Sequence, residues 1–199
     1  MKFIIILIAA AFLLSCTGKT ESEYSRKIEA ERKAKNEYMK NDPNSPFNRD
    51  TRAEFHPLNY FDPDSAFVFE SKLIEYEHKD TIPIFGTKGE EREAVRYGYL
   101  LLKFDDKVHR LNVYQNKAQN GSEYYSVWFT DKTTNEETYG VGRYLDFEKS
   151  ADTNHVYAID FNLAFNPFCA YSSMFSCAIP SQEDNLDFAV LAGEKKFHE

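Results

Sequence analysis

Apolar and polar residues alternate with a period of two along most of the chain beyond residue 46, which is typical of β-strands. Residues 95–104 carry apolar side chains on both faces, as expected of a central strand that is covered on both sides. The link at residues 105–107 is short enough for a hairpin into a second strand at residues 108–115. Further strands are predicted at residues 66–77, 81–85, 124–130, 137–145, 156–163 and 187–191.

Successive strands joined by short turns predict an antiparallel sheet that closes into a barrel or a sandwich. The aromatic content supports this prediction, because the 13 Tyr and 17 Phe residues of the chain favour pleated, half-buried surfaces. A convincing helical period is found only before residue 46. We therefore predict a mainly β fold with a single domain over residues 46–199, which is long enough to bury a core of its own.

Residues 16–45 are predicted to form a polar, helical tether. Residues 28–40 are rich in Glu, Lys, Arg and Ala, which favour helices. Large apolar residues are too few there for a continuous apolar stripe, so the pattern favours a solvated helix that leans on the domain through Tyr38 and Met39. Two prolines and several turn formers at residues 41–46 end the helix.

Residues 1–15 have the composition of an export signal. Lys2 precedes an apolar run at residues 3–14, which is too short to span a bilayer. The string Leu13-Leu14-Ser15-Cys16 resembles the lipobox of bacterial lipoproteins, in which the cysteine thiol receives a diacylglyceryl group and becomes the new N-terminus. The sequence therefore predicts a lipoprotein signal peptide and lipidation of Cys16. The alternative is an ordinary signal peptide in which Cys16 is incidental.

The predicted lipid would attach the chain to a bacterial membrane in the cell envelope and place the domain in the periplasm or outside the cell. Thr17 stands where some inner-membrane lipoproteins have an aspartate, which favours the outer membrane in a cell that has one. The formal net charge of −8 argues against nucleic acid and against anionic headgroups as partners, because both require Lys and Arg. Contact with the membrane is therefore expected through the lipid on Cys16, and a protein partner is left open.

Cys169 and Cys177 are eight positions apart. In an oxidising compartment two such cysteines usually form a disulfide, which is the favoured interpretation. A metal site would need two further ligands, and no histidine of the chain stands at a ligand spacing, so no metal is predicted. A redox or nucleophilic cysteine is the third possibility.

Several strings occur in a characteristic order along the domain. They are Phe85-Gly86-Thr87 with Gly98 downstream, Phe129-Thr130-Asp131, Gly142-Arg143-Tyr144-Leu145-Asp146, Asp160-Phe161-Asn162 followed by Asn166-Pro167 and Cys169-Ala170-Tyr171, Ser176-Cys177-Ala178-Ile179-Pro180, and Ala192-Gly193-Glu194-Lys195. Together they resemble the bacterial and archaeal family catalogued as domain of unknown function sixteen eighty-four, over residues 45–195. No activity comes with this resemblance. One departure is the segment after Cys177, where the family tends to have Pro-Leu-Pro-Pro and this chain has a single proline.

A candidate ligand site lies in the segment from residue 139 to residue 177. Asp160 and Asn162 share one face of a predicted strand with small residues, which suits a cavity wall or a face turned to water. Arg143 could hold a carboxylate or phosphate in a bidentate fork, or it could pair with Asp160 or Asp146 inside the fold. The ligand-binding candidates are Tyr139, Arg143, Tyr144, Asp160, Asn162, Asn166 and Tyr171.

Three functions stay open on this evidence. The favoured one is a lipid-tethered module that binds a small polar or anionic molecule, and the next is an envelope protein–protein interaction module. The third is a hydrolase with Asp160 as the base and Arg143 as an electrophilic clamp, so enzyme activity is uncertain and disfavoured. No metalloprotease, nucleophile-elbow, phosphate-loop or dinucleotide motif is present, and therefore no cofactor and no catalytic residue is predicted.

Overall fold

A computed structural model describes residues 22–118 and 120–198 of the chain. The predicted signal at residues 1–15 and the lipidation site Cys16 lie outside these residues. Within them, two helices precede eight strands, with one short 3-10 turn before the first strand and three after the last. The elements are α1 (Glu23–Asn41), α2 (Pro46–Arg49), β1 (Val68–Lys72), β2 (Ile74–Glu75), β3 (Thr81–Phe85), β4 (Glu91–Phe104), β5 (Lys107–Lys117), β6 (Glu123–Phe129), β7 (Arg143–Phe147) and β8 (Val156–Asp160).

The strands form two antiparallel sheets. The larger has the order β2-β4-β5-β6-β7, with β3 also paired to β4, and the smaller consists of β1 and β8. The β4–β5 hairpin turns at Asp105 and Asp106, both with positive φ, as a two-residue turn of matching twist requires. The prediction of a mainly β, antiparallel fold is confirmed. The closure into a barrel is not found among the described residues, because β7 and β8 are both edge strands.

Of the predicted strands, the one at residues 137–145 is confirmed only over residues 143–145, and the one at residues 187–191 is wrong. Residues 137–142 form turns, and the strand starts only at Arg143, directly after Gly142, whose φ of 108° interrupts an extended chain. A Cβ on Gly142 would lie 2.5 Å from the carbonyl oxygen of Phe129, so the chain approaches its neighbour closely there. No strand forms at residues 187–191 either, although Phe188 and Val190 are buried. The apolar residues of this segment alternate with polar ones because they are buried in the core, although the segment pairs with no strand.

The main core lies between the two sheets. Its larger wall comes from β4, β5 and β6, and its smaller wall comes from β1, β8 and the irregular segment before the C-terminus. The residues of this core that are at most 1% exposed are Leu100, Leu102, Leu111, Val113, Val127, Phe129, Phe161, Ala164, Leu186, Val190 and Ala192. Sheet packing therefore accounts for the apolar alternation of the domain.

Helix α1 packs against the domain along its length. Ser22 caps its first turn, and Ile28 and Met39 are each only 1% exposed. Met39 enters a second apolar cluster with Phe47, Leu58, Tyr171 and Phe197. The predicted contact through Met39 is found, whereas Tyr38 is 39% exposed. Most side chains of α1 are exposed to solvent, as predicted, and Ile28, Arg32 and Met39 are its buried residues. The helix needs no continuous stripe because aromatic residues of the domain supply most of the apolar surface.

Candidate functional site

Arg143 is completely buried and its terminal nitrogens are bonded to the protein itself. Nη2 donates to Asp131 Oδ2 and to the carbonyl oxygen of Val190, each at 2.9 Å. Nη1 donates to the carbonyl oxygens of Ala192 and Glu194. Of the two predicted roles, the structure therefore corresponds to the internal one, but the partner is Asp131 and not Asp160 or Asp146. The reason is that the C-terminal segment folds back over the start of β7.

Asn166 and Tyr171 surround a carboxylate that the sequence did not single out. Glu194 is 0% exposed and accepts hydrogen bonds from the Tyr171 hydroxyl, from Asn166 Nδ2 at 2.9 Å and from the Asn166 backbone N–H at 3.2 Å. Lys35 Nζ of α1 lies 3.3 Å from the same carboxylate. Burial and the neighbouring Glu194 raise the pKa of Tyr171 well above its ordinary value. The buried Glu194 carboxylate therefore links α1, through Lys35, to Asn166 and Tyr171 of the domain.

Asp160 and Asn162 occupy the seam at the start of α1. The Tyr24 hydroxyl donates to both carboxylate oxygens of Asp160 at 3.0 Å. Asn162 bonds Asp160 and both the backbone N–H and the carbonyl oxygen of Asp64, at 2.8–2.9 Å. Burial and the bond to Asp160 raise the pKa of Tyr24. These bonds occupy Asp160 and argue against its role as a free catalytic base.

Tyr139 and Tyr144 lie near the two cysteines. The Tyr139 hydroxyl donates to the carbonyl oxygen of Cys169 at 3.4 Å and lies 3.7 Å from its Sγ, while the Tyr144 hydroxyl donates to the carbonyl oxygen of Ala178. Cys169 and Cys177 are free thiols in the structure, without the predicted disulfide. The Cys169 backbone N–H donates to Cys177 Sγ at 3.3 Å. The Cys177 thiol, as a hydrogen-bond donor, lowers the pKa of Cys169 to about 7, and the pKa of Cys177 rises in turn.

The candidate residues therefore do not converge on one concave site. They form four separate groups, each of which joins different segments of the fold: Arg143, the Asn166–Tyr171 pair, the Asp160–Asn162 pair, and the tyrosines beside the cysteines. One of them, Asn162, lines the cavity described next. The sequence grouped them because they are close along the chain, but their partners come from distant segments.

A cavity of about 440 Å³ lies between α1 and the domain. The helix contributes Arg32, Lys35 and Met39 to its wall, and the domain contributes Tyr60 and an apolar surface of Leu163, Ala164, Phe165 and Phe168. Its size falls within the range of small-molecule sites, and an apolar wall with a few polar groups is their usual composition.

Backbone pairing at the C-terminus assembles this wall. Glu194 and Tyr60 form an antiparallel bridge, and the Glu194 N–H donates to the carbonyl oxygen of Ala164 at 2.9 Å. Gly193 permits this path, with a φ of 77° and carbonyl oxygens so close that a Cβ would lie 2.6 Å from that of Phe161. The segments around residues 60, 164 and 194 thus meet beneath the helix.

Arg32 is the least satisfied polar side chain at the cavity. It is 6% exposed, yet its Nε and Nη2 atoms have no hydrogen-bond partner among the described residues, and Nη1 bonds only the half-exposed Glu29 at 3.0 Å. Its guanidinium carbon lies 4.6 Å from the centre of the Tyr60 ring, and the buried Tyr60 hydroxyl also lacks a partner. An unmade hydrogen bond of a buried group costs about 1–3 kcal/mol. The Nε and Nη2 donors of Arg32 therefore lack an acceptor among the described residues, and a molecule bound in the cavity would supply one.

Lys35 differs from Arg32 in its partner, because Lys35 pairs with the fully buried Glu194, whereas Arg32 pairs only with the half-exposed Glu29. The Lys35 Nζ atom bonds Glu194 and lies 4.2 Å from the centre of the Phe165 ring. Burial lowers its pKa, and Glu194 opposes that change. The positive charge available to a bound molecule is therefore that of Arg32, whose planar fork matches a carboxylate or a phosphate.

No pattern in the sequence marks this site. Arg32 and Lys35 lie in a run of charged helix formers that is normally solvated, and Tyr60 lies in an irregular segment. Across residues 22–118 and 120–198, no group of His, Cys, Asp and Glu is arranged to hold a metal ion. No helix in that part of the chain is long and apolar enough to cross a membrane.

Comparison with known proteins identifies relatives but no activity. A family model described as a protein of unknown function, DUF1684, matches residues 53–195. The solution NMR structure of an uncharacterized protein from Haloarcula marismortui is similar, with a TM-score of 0.63 and 30% sequence identity over 87% of this chain and 95% of that chain. A search of the curated proteins found no match.

Proposed function

The chain belongs to the DUF1684 family of proteins of unknown function, and we propose that it is a binding module for a small anionic molecule, held in the cavity between α1 and the domain. The observation that carries this proposal is the buried guanidinium of Arg32, a residue of the cavity wall, which has two nitrogen atoms without partners among the described residues. A carboxylate or phosphate oxygen would satisfy them. The Tyr60 hydroxyl would donate a further bond to the same group.

The walls indicate how such a molecule would be held. Phe165, Phe168 and Leu163 offer apolar contact, while Glu194 and its partners keep Lys35 in place at the inner end. This arrangement favours binding over hydrolysis, because the buried carboxylate is bonded to four protein groups and none of the described candidates is a free base. The module therefore fits the favoured sequence interpretation, with a different set of residues.

The membrane attachment is a second part of the proposal. Lipid on Cys16 would tether the domain to a bacterial membrane, with the outer membrane favoured, and keep it in the envelope. Mass spectrometry of the N-terminal peptide from the host membrane tests this directly. We expect a diacylglyceryl-modified Cys16 and no residues 1–15, and an unmodified, soluble chain would contradict it.

In an oxidising envelope we further propose that Cys169 and Cys177 are joined as a disulfide. Their thiols adjoin in the reduced chain, and a disulfide-donating oxidant of that compartment would accept the two electrons while both thiol protons are released. Thiol labelling of freshly isolated chain, with and without reductant, measures the pairing. Equal labelling in the two samples would contradict it.

Native mass spectrometry of the full chain from its own host tests the binding function. We expect a copurifying molecule with an anionic group, released on unfolding. Replacement of Arg32 by Met keeps the side-chain stem and removes the guanidinium, so the copurifying mass should disappear. Since a charged hydrogen bond contributes about 1.5–3 kcal/mol, affinity for the released molecule should fall by about 10- to 100-fold.

The matched control is Lys33→Met, which removes one positive charge from the exposed side of the same helix. It should leave the bound mass and the affinity unchanged. Equal occupancy in Arg32→Met and in the unmodified chain would rule out the proposed site.

A further inference from the structure

A second cavity, of about 210 Å³, lies in the gap between β7 and β8. Residues 145–147 of β7, with Glu148 just after it, form one side, and residues 157–160 of β8 form the other. Among the named strands β7 pairs with β6 and β8 pairs with β1, so the facing edges of β7 and β8 are left apart. We refer to this gap as the β7–β8 slot.

The slot is bounded at both ends by bonds between the two sides. At one end Tyr144 and Phe165 exchange backbone hydrogen bonds of 2.9 and 3.0 Å. At the other end the Ser150 N–H donates to the Tyr157 hydroxyl at 2.9 Å. The opening is therefore a defined window in the fold, held at a fixed width.

The floor of the slot is the main apolar core. Leu100, Leu111 and Val127 line it, and each of them is at most 1% exposed. An unfilled space beside such residues forfeits the dispersion contacts that a packed core would make, and apolar cavities do not hold water well. An apolar occupant would restore those contacts.

The slot adjoins the Arg32 cavity, because Asp146 and Leu163 line both of them. The Arg32 cavity offers a buried guanidinium with two nitrogens that lack partners among the described residues, and the slot offers core leucines and a valine. The carboxylates of Glu148 and Asp160 line the slot and not the Arg32 cavity, so they repel an anion from the slot, and a molecule with one negatively charged end would lie with that end at Arg32.

The N-terminal segment would bring this opening close to a membrane. Tyr24 bonds Asp160, which lines the slot, and Cys16 precedes Tyr24 by eight positions. A chain of that length spans at most roughly 28 Å when fully extended. A lipid on Cys16 would therefore hold the slot within reach of the bilayer surface, where amphipathic anions are concentrated.

From these observations we propose that the ligand is an amphipathic carboxylate with an unbranched aliphatic chain, its head on Arg32 and its tail in the β7–β8 slot. This inference rests on the proposed binding function and adds the class of ligand. A methylene group is close in size to water, whose share of liquid volume is about 30 Å³, so the slot accommodates roughly seven of them. Medium-chain alkanoates are the matching probes.

The test is calorimetry on the full chain held in nanodiscs, with empty nanodiscs as the blank. Butanoate, hexanoate, octanoate and decanoate are titrated, with 1-decanol as the uncharged analogue of decanoate. We expect affinity to rise about three- to fourfold for each added methylene until the slot is full, and 1-decanol to bind at least tenfold more weakly than decanoate. Equal affinity for butanoate and decanoate would overturn the inference.

Two variants separate the tail from the head. Ala158→Trp places a bulky ring at the slot and should lower decanoate affinity at least tenfold while butanoate binding is retained. Val156→Trp, at an exposed position of the same strand outside the slot lining, is the matched control and should change neither. Arg32→Met should weaken both alkanoates. Because the chain-length series uses the unmodified protein, it stands even if Ala158→Trp does not fold.

The outcomes distinguish the two proposals. Carboxylate binding that depends on Arg32 but not on chain length would keep the binding function and overturn the slot assignment. Absence of binding by every alkanoate, with no effect of Arg32→Met on the natural ligand, would remove both. Decanoate binding by a Cys16→Ser chain but not by the lipidated chain would assign the slot to the protein's own lipid and overturn the inference.

Discussion

Two buried arginines of this molecule illustrate opposite uses of the same side chain. Arg143 is 0% exposed, and its terminal nitrogens bond one carboxylate and three backbone carbonyl oxygens. Arg32 is 6% exposed and bonds one half-exposed carboxylate, while two of its nitrogens have no partner in the described chain. Arg143 leaves only its Nε without a partner in the described chain, so the two arginines are similarly buried but differ in how far their terminal nitrogens are bonded. An arginine whose two terminal nitrogens are both bonded inside the protein holds the fold together, whereas one with a free terminal nitrogen at a cavity is available to a ligand.

The comparison also changes the meaning of the family pattern. Arg143 belongs to the Gly-Arg-Tyr-Leu-Asp string, and Glu194 belongs to the Ala-Gly-Glu-Lys string. In the structure the two strings meet, because the Arg143 guanidinium bonds the carbonyl oxygens of Ala192 and Glu194. These strings are therefore explained by the closure of the C-terminal segment onto the sheet. The cavity residue Arg32 lies outside the region that the family model matches.

The largest expected effect concerns Arg143. Asp131→Ala leaves the Arg143 guanidinium buried without its carboxylate, and the free energy of unfolding should fall by about 3–5 kcal/mol. Urea unfolding measures this change. Asp131→Asn, which keeps the acceptor for Thr133, should lose less, and Lys132→Ala at the neighbouring exposed position should change stability by under about 1 kcal/mol. A loss below about 1 kcal/mol in Asp131→Ala would break the comparison.

Arg32 should behave in the opposite way. Arg32→Met removes buried nitrogen atoms without partners, and the exposed-side bond to Glu29 that is lost contributes little. The free energy of unfolding of the empty chain should therefore stay the same or rise by up to about 1 kcal/mol, while ligand binding is lost. Thermal unfolding with and without decanoate measures both. If Arg32→Met greatly lowered the free energy of unfolding of the empty chain, Arg32 would be a structural residue like Arg143.

The smallest effect is a shift in thiol reactivity beside Tyr139. Because the pKa of Cys169 is lowered to about 7, the rate of its alkylation by iodoacetamide in the reduced chain should be half-maximal near pH 7. Because the pKa of Cys169 is lower in the folded chain than in the unfolded chain, its thiolate adds to the free energy of unfolding. This stabilisation is complete above the unfolded pKa near 9 and disappears as the pH falls through 7. Cys169→Ser should abolish the labelling in that range. A midpoint near pH 9 would show that the Cys177 thiol does not favour the Cys169 thiolate.

Part of the fold could be predicted from the sequence because it depends on local periodicity. The alternation in β4, β5 and β6, the hairpin turn at residues 105–106 and the helix before residue 42 follow from neighbours along the chain. The failures have a common cause. Residues 187–191 alternate because they are buried, and the burial of Arg32 in α1 was missed because the groups that cover it belong to segments far away in sequence.

What the sequence by itself determined is the family, the mainly β class and the family strings around Arg143 and Glu194. What only the tertiary structure decided is which charged residues are satisfied. Arg143 meets carbonyl oxygens nearly 50 positions away, and Lys35 meets Glu194 across 159 positions. Hydrogen-bond saturation is a property of such distant contacts and leaves no periodic signal in the chain. For that reason the sequence pointed to Arg143, whereas the structure points to Arg32.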